Sequence, residues 1–180
     1  LDGFETAAKQ MLALSIELSA VGCDLRFIDM GGGLGVQYNG EETKTPDELL
    51  TVYAKIFKDR DEEIYIEPGR AIAANAGMLV TEVEYCKNNF LIVDAAMNDL
   101  IRPALYQAKH KVHEVVNNKV SKKTFDIVGP ICETGDYLAK GVELSCKTGD
   151  LVAIGTAGAY GFSMSSNYNT RPRSAEILVD

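Results

Sequence analysis

The stretch Asp29-Met-Gly-Gly-Gly-Leu-Gly35 directly follows a short apolar run, Leu25-Arg-Phe-Ile-Asp29. Three consecutive glycines after a strand-like segment leave backbone N–H groups open on a tight turn, because no Cβ atoms stand in the way. A second segment, Ile64-Tyr-Ile-Glu-Pro-Gly-Arg70, repeats the pattern of a short strand, a sharp turn and a polar residue. The two loops together predict one phosphate-anchored cofactor site.

Composition restricts the function classes. The chain has 180 residues, 46% of them hydrophobic and 24% charged, which is typical of a globular protein with a sizeable core. The net charge of −8 and the lack of a basic block argue against a nucleic-acid partner. No apolar run approaches the roughly 20 residues that a membrane span needs. The four cysteines have no Cys-x-x-Cys spacing, which predicts reduced thiols and a cytoplasmic protein.

Up to about residue 77, helical and strand patterns alternate. Thr45, Pro46 and Glu48 form a helix-start signature, with Thr45 as the N-cap. This order is typical of βα units with parallel strands. The predicted elements are a helix over 4–21, a strand over 25–30, a helix from 46 to about 58, a strand over 62–66 and a short helix over 71–76.

Beyond residue 77 the pattern changes to short strands separated by loops rich in Gly, Pro and Asn. Asn88-Asn89 predicts a turn between the first two strands. We therefore expect a mainly antiparallel β domain over residues 78–180 and a βα domain over residues 1–77. The predicted strands cover 78–85, 90–94, 111–116, 124–128, 150–154 and 175–179.

The first domain is short for its pattern. A complete eight-stranded βα barrel takes about 250 residues, and only two predicted strands precede residue 77. The first residues also lack a starting Met and the basic region of a signal peptide. We expect the chain to be the C-terminal portion of a longer enzyme. The two glycine-bearing loops would then follow the last two barrel strands, where this fold commonly binds phosphate.

Five motifs are spread over residues 29–172. They are Asp29-Met-Gly-Gly-Gly-Leu-Gly-Val36, Glu67-Pro-Gly-Arg70, Asp94-Ala-Ala-Met-Asn-Asp-Leu-Ile-Arg-Pro-Ala-Leu-Tyr106, Gly129-Pro-Ile-Cys-Glu133, and the loop from Gly158-Ala-Tyr-Gly161 through Arg171-Pro172. Together they resemble the diaminopimelate decarboxylases, which are alanine-racemase-like barrel enzymes that use pyridoxal 5'-phosphate. The resemblance covers essentially the whole chain. It implies the C-terminal part of a (β/α)8 barrel followed by a mainly antiparallel β domain.

The resemblance implies conversion of meso-2,6-diaminopimelate to L-lysine and carbon dioxide, in lysine biosynthesis. It makes Cys132 the proton donor, a role that suits a thiol because it is mostly protonated near neutral pH. It also implies a homodimer in which this cysteine reaches the partner's active site. The residues implied to bind the cofactor are Gly31, Gly32, Gly33, Glu67, Pro68, Gly69, Arg70 and Tyr160. The residues implied to bind the amino-acid substrate are Arg70, Arg102, Tyr106, Glu133 and Tyr160.

The substrate preference has a physical basis. The far end of diaminopimelate carries a carboxylate, which a guanidinium fork matches, and an ammonium, which suits Glu133. In ornithine- and lysine-type decarboxylases of the same fold, the proton-donor motif resembles Cys-Asp, whereas this chain has Cys132-Glu133. One feature departs from the family: no lysine here stands in its Tyr-Ala-x-Lys-Ala-Asn-like Schiff-base context. We expect that the chain cannot decarboxylate anything alone.

Other interpretations remain for several residues. A dinucleotide loop beginning at Gly31 would need a glycine where Val36 stands. His110 and His113 are interpreted as surface residues, and no metal site is predicted. Tyr168 is assigned to packing, Arg171 and Arg173 to neutralising an acidic surface, and Cys23, Cys86 and Cys146 to structural roles. For the whole chain, the alternatives are a non-catalytic regulatory or binding homologue and a decarboxylase for another basic amino acid.

Overall fold

The computed structural model describes residues 1–116 and 121–179. It contains two compact units, one formed by Leu1–Val36 with Glu42–Ile72 and the other by Gln37–Glu41 with Ala73–Asp180. The boundary between the two units lies between Ile72 and Ala73, and the short segment Gln37–Glu41 belongs to the second unit. The division into domains over 1–77 and 78–180 stays a prediction.

The first unit is built from helices and two parallel strands, as predicted. Ile28 lies opposite Ile64 in the parallel pair. Apolar residues from the two longer helices and from the first strand form one core cluster, which includes Ala8, Leu49 and Tyr53. The elements are α1 (Asp2–Ala20), β1 (Phe27–Asp29), α2 (Pro46–Ile56), β2 (Glu63–Tyr65) and α3 (Gly69–Ala73).

The start of α2 confirms the helix-start signature of the sequence. The Thr45 Oγ1 atom accepts a hydrogen bond from the Glu48 N–H at 3.2 Å, and the Glu48 carboxylate accepts one from the Thr45 N–H at 2.9 Å. This reciprocal pair satisfies two backbone donors that a helix start otherwise leaves without an acceptor. Pro46 stands where its missing N–H costs nothing.

The second unit is mainly a six-stranded sheet. The strand order is β5-β8-β3-β4-β6-β7, and every neighbouring pair is antiparallel except β4 with β6. The βα class of the first part and the mainly antiparallel β class of the second are thus confirmed. The elements are a 3₁₀ turn (Ala74–Ala76), β3 (Leu79–Lys87), β4 (Phe90–Val93), α4 (Arg102–Tyr106), β5 (Val112–Glu114), β6 (Lys123–Val128), β7 (Tyr137–Leu144) and β8 (Leu151–Ile154), followed by 3₁₀ turns at Phe162–Met164 and Tyr168–Thr170.

The parallel pair β4–β6 positions two of the predicted motifs. Leu91 on β4 lies opposite Ile127 on β6, and both side chains are fully buried in the core of the sheet. Because the strands run in the same direction, their carboxyl ends reach the same edge of the sheet. The loops that begin at Asp94 and Gly129 therefore leave the sheet side by side.

One strand predicted from the sequence is wrong, and one strand of the structure was not predicted. Residues 175–179 form no strand, and Leu178 is 96% exposed, although the local apolar pattern predicted one. Conversely, β7 was not predicted, because Lys140 and Gly141 interrupt its alternation. Gly141 adopts a left-handed φ of +65°, and its N–H donates to the Asp126 carboxylate at 2.8 Å in an irregular part of the β6–β7 ladder.

Within residues 1–116 and 121–179, no helix has both the length and the apolar character that a bilayer crossing requires.

The buried hydroxyl of Thr81 on β3 supports the turn after β4. It donates to the Asp94 carboxylate and accepts from the Ala95 N–H at 2.9 Å. Thr81→Val keeps the shape of the side chain but leaves the buried Ala95 N–H without its acceptor. We therefore expect the local stability to fall by about 1–3 kcal/mol. Faster amide-hydrogen exchange at Ala95 in the full-length protein measures this loss. Thr124→Val, at an exposed position on β6, is the matched control, and unchanged exchange in Thr81→Val would contradict the prediction.

Candidate functional site

The glycine loop after β1 packs directly on the loop after β2. Gly31 and Gly33 adopt left-handed φ values of +67° and +95°. The Gly31 carbonyl accepts from the Glu67 N–H at 2.8 Å, and its N–H donates to the Asp29 carboxylate at 2.8 Å. A Cβ at Gly32 would lie 2.2 Å from the Glu67 carbonyl oxygen, far inside contact distance. Only glycine allows these two loops to approach so closely.

The same loop pair carries both an arginine and open backbone donors. Arg70 lies in the first turn of α3, and its Nη2 donates to the Gly33 carbonyl at 3.4 Å. Among residues 1–116 and 121–179, the N–H groups of Gly32 and Gly33 find no acceptor. Unused N–H donors beside a guanidinium form a concavity suited to an anion. The structure thus brings Gly31, Gly32, Gly33, Glu67, Pro68, Gly69 and Arg70 together within the first unit.

In the second unit, a buried carboxylate joins the two side-by-side loops. Asp136 is 3% exposed, and its two oxygens accept from the Met97 N–H at 2.7 Å and from the Ile131 N–H at 2.8 Å. A Cβ at Gly129 would lie 2.5 Å from this carboxylate and 2.7 Å from the Ala95 carbonyl oxygen. Burial raises the pKa of Asp136, and the two N–H groups oppose that rise. This contact fixes the loop that carries Cys132 and Glu133.

Cys132 and Glu133 lie exposed on that loop. The Tyr168 hydroxyl donates a hydrogen bond to the Glu133 carboxylate, and this bond raises the pKa of Tyr168. The assignment of Tyr168 to packing is therefore wrong, because the ring is 46% exposed and its hydroxyl orients a predicted substrate-binding carboxylate. The local sequence contains no signal for this contact, since the two residues are 35 positions apart.

Arg171 ties the last described segment to the loop after β4. Its guanidinium donates to the Asn98 side-chain oxygen at 3.0 Å and to the Asp94 carbonyl. Asn98 is buried and also exchanges hydrogen bonds with the Ser166 backbone. Arg171 therefore does more than neutralise an acidic surface. These bonds fix the segment that carries Tyr168 relative to the motif that begins at Asp94.

Arg102 is the first residue of α4 and only 7% exposed. Its guanidinium carbon lies 4.4 Å from the centre of the Tyr38 ring, and its Nη1 lies 3.2 Å from His110 Nε2. Within the described parts of the chain, no carboxylate comes within salt-bridge distance of this guanidinium. A buried cation without a carboxylate is costly, so this arrangement favours an anionic ligand.

His110 is 4% exposed, so the prediction of a surface position is wrong for this residue. Its Nδ1 lies 3.0 Å from the Gly155 carbonyl oxygen. Burial lowers the pKa of His110, the charge of Arg102 lowers it further, and the Gly155 carbonyl opposes both effects. The ring is therefore neutral near pH 7. His113 is exposed, as predicted.

Tyr106 and Tyr160 are both exposed, at 60% and 45%. Tyr106 ends α4, one helical turn after Arg102. Tyr160 has a left-handed φ of +65°, which is uncommon for an aromatic residue and is often found at functional sites. Within residues 1–116 and 121–179, neither hydroxyl has a hydrogen-bond partner. The same ranges contain no group of three or more His, Cys, Asp or Glu side chains arranged to hold a metal ion.

Comparison with known proteins identifies the class to which this fold and these motifs belong. Residues 15–158 match the family described as pyridoxal-dependent decarboxylase, C-terminal sheet domain. The chain therefore belongs to the pyridoxal-dependent decarboxylase family, and the cofactor predicted from the sequence is confirmed for the family.

Several curated relatives of the chain are diaminopimelate decarboxylases. The enzyme of Pseudomonas fluorescens is 53% identical over the whole of this chain, and that of Vibrio cholerae is 52% identical over 98% of it. The chain spans 44% of the length of each relative. A crystal structure of diaminopimelate decarboxylase from Helicobacter pylori, in complex with L-lysine, matches with a TM-score of 0.89 and 42% identity, covering 94% of this chain and 43% of that one. The family resemblance predicted from the five motifs is confirmed.

The Asp136 contact leads to a specific prediction. Asp136→Asn replaces one acceptor oxygen with an NH₂ group, which must then face either the Met97 or the Ile131 N–H. We expect a local destabilisation of about 1–3 kcal/mol. It is measurable in the full-length protein as faster amide-hydrogen exchange over residues 95–99 and 129–135.

Asp126→Asn is the matched control for this prediction. Asp126 accepts a hydrogen bond from the Gly141 N–H through a single oxygen, which the amide of an asparagine can supply equally well. If Asp136→Asn exchanged no faster than Asp126→Asn at the two loops, Asp136 would not be the contact that fixes them.

Proposed function

We propose that this chain is the C-terminal part of a pyridoxal-phosphate-dependent decarboxylase that converts meso-2,6-diaminopimelate to L-lysine and carbon dioxide. The observation that carries the proposal is the buried guanidinium of Arg102, which has no carboxylate partner among the described residues. The identity of 53% with a named diaminopimelate decarboxylase also supports it. Related basic amino acids have no second carboxylate, so they would leave the Arg102 guanidinium without an anionic partner.

The glycine loop has the properties of a phosphate site. We assign the phosphate of the cofactor to the N–H groups of Gly32 and Gly33, with Arg70 supplying positive charge. The close contact of Gly32 with Glu67 holds those donors in place before any ligand arrives. When bound, pyridoxal phosphate supplies an electron sink for the charge left on the substrate as carbon dioxide departs. The further assignment of Glu67, Pro68, Gly69 and Tyr160 to the cofactor stays a prediction.

We assign the binding of the far end of the substrate to residues of the second unit. The guanidinium of Arg102 can donate two parallel hydrogen bonds to a carboxylate, an interaction that is stronger in a buried position than in water. Glu133 faces solvent and is held by Tyr168, so its second oxygen can accept from the substrate ammonium. We also assign substrate contacts to Arg70, Tyr106 and Tyr160.

We assign to Cys132 the transfer of a proton to the substrate. Its exposed thiol can donate a proton to the substrate Cα once carbon dioxide has left, because the Asp136 contact holds the loop that presents it. We further propose a homodimer in which Cys132 serves the partner's active site, working in the cytoplasm, with the cofactor-binding lysine outside these 180 residues.

Turnover by the full-length protein tests the proposed function. With pyridoxal phosphate and meso-diaminopimelate, we expect equimolar L-lysine and carbon dioxide, and no decarboxylation of ornithine or lysine. Turnover of ornithine or lysine instead would assign the chain to another basic amino acid. Cofactor binding without any turnover would identify a non-catalytic homologue.

Replacement of the proton donor gives a second prediction. Cys132→Ala should reduce kcat by about a hundredfold or more, since a positioned general acid typically contributes 10²–10⁴. Cofactor absorbance should not change. Cys23→Ala, also exposed but outside the five motifs, should keep wild-type turnover. Equal kcat for the two variants would remove Cys132 from its assigned role.

The glycine loop gives a third prediction. Gly32→Ala places a methyl group against the Glu67 carbonyl, so the two loops must separate and the phosphate donors must move. We expect the affinity of the full-length apoprotein for pyridoxal phosphate to fall about tenfold or more, a change of ~1.4 kcal/mol. Absorbance titration measures it. Gly35→Ala is the control, because its Cβ would meet Thr43 Cγ2 at an ordinary 3.9 Å, and equal affinities would contradict the assignment.

A further inference from the structure

We propose that His110 is a positioning residue, which holds the guanidinium of Arg102 ready for the far carboxylate of the substrate through the acceptor lone pair of Nε2. This inference rests on the proposed function, because it assumes that Arg102 binds that carboxylate. It adds a residue that lies outside the five motifs and that the sequence assigned to the surface.

The tautomer of His110 follows from its two neighbours. The Gly155 carbonyl, 3.0 Å from Nδ1, can only accept a hydrogen bond, so Nδ1 carries the proton. In a neutral imidazole the other nitrogen is then an acceptor. Arg102 Nη1, 3.2 Å from Nε2, can only donate. The chain of hydrogen bonds therefore runs in one direction, from Arg102 through His110 to Gly155.

The strands fix the far end of this chain. Gly155 directly follows β8, which pairs with β5 so that Val112 lies opposite Ile154. The Gly155 N–H also donates to the Lys111 carbonyl at 2.9 Å. The carbonyl that orients His110 thus lies at the end of a sheet strand and is held by a backbone hydrogen bond.

Tyr38 covers a second side of the guanidinium. Its ring makes a cation–π contact with Arg102 and an edge-to-face contact with His110, with ring centres 4.9 Å apart. The Tyr38 backbone is itself held, since its carbonyl accepts from the Lys111 N–H at 2.9 Å and its N–H donates to Glu41 at 2.7 Å. The guanidinium is therefore fixed on one face by a ring and on one edge by an imidazole.

Both groups that hold Arg102 are neutral, and this has a chemical consequence. A carboxylate in the place of His110 would hold the guanidinium more strongly, but it would neutralise the charge and compete with the substrate. A neutral acceptor uses one of the five N–H donors and leaves the charge unchanged. An ordered cation binds its ligand more tightly because less side-chain freedom is lost on binding.

The inference concerns only ligands that carry the far carboxylate. L-lysine retains that carboxylate after decarboxylation, whereas cadaverine has the same chain and amines without it. The ratio of the two affinities therefore reports how well Arg102 is positioned. A general loss of structure would lower the affinities for both ligands together.

The experiment measures the affinities of the full-length, cofactor-loaded protein for L-lysine and cadaverine. In His110→Leu, which keeps the burial but removes the acceptor, lysine should bind roughly tenfold more weakly while cadaverine stays within about twofold. His110→Gln should retain most of the preference, since its amide can donate to Gly155 and accept from Arg102. His113→Gln, at the exposed histidine nearby, should leave both affinities unchanged.

The outcomes separate this inference from the proposed function. If the wild-type protein binds lysine no better than cadaverine, recognition of the far carboxylate is wrong, and the role of His110 is wrong with it. If the wild type prefers lysine and folded His110→Leu keeps that preference, only the positioning role is overturned. If His110→Leu does not fold, ¹⁵N-histidine NMR of the wild type decides, since a proton on Nε2 near pH 7 would overturn the inference and an unprotonated Nε2 would support it.

Discussion

The buried carboxylate of Asp136 accepts hydrogen bonds from the N–H groups of Met97 and Ile131, and the relative position of two loops of the second unit depends on that interaction. A charge removed from water is stable only when hydrogen bonds replace its hydration, and here two backbone donors do so. The same contact joins the loops that follow β4 and β6, which lie side by side because those strands are parallel. Gly129 is required because any Cβ would collide with this carboxylate.

The predicted sites of the two units differ in the groups that they offer to a ligand. In the first unit, backbone N–H groups on a loop with almost no side chains have no acceptor among the described residues, and Gly32 permits the close packing that holds the loop. In the second unit, side chains present the chemistry, and buried residues behind them set their orientation. Arg102 has Tyr38 and His110 behind it, and the loop of Cys132 has Asp136. A phosphate suits the first arrangement because its symmetric oxygens need donors more than shape, whereas an amino acid with distinct ends suits the second.

Local patterns in the sequence predicted most of the fold, because caps and periodicities are local interactions. The α2 capping box and the parallel pair β1–β2 are examples. The errors share a different cause. His110 is buried by Arg102 and by a carbonyl 45 residues away, and Arg171 bonds to Asp94 across 77 positions. Such partners leave no periodic trace, so the local sequence could not show which residues support the predicted site residues. The strand predicted over 175–179 is wrong for the opposite reason. The local pattern is present, but a strand also needs a neighbouring strand to pair with.

The hydrogen bond between Tyr168 and Glu133 limits how this site can change over evolution. Cys132 and Glu133 are consecutive, so under the proposed assignment a change in the contact to the substrate amine need not move the thiol. A shorter aspartate at position 133, however, would end one methylene short of the Tyr168 hydroxyl. A change at position 133 therefore loses this hydrogen bond unless position 168 changes with it, so substitutions at the two positions should covary among descendants of this protein.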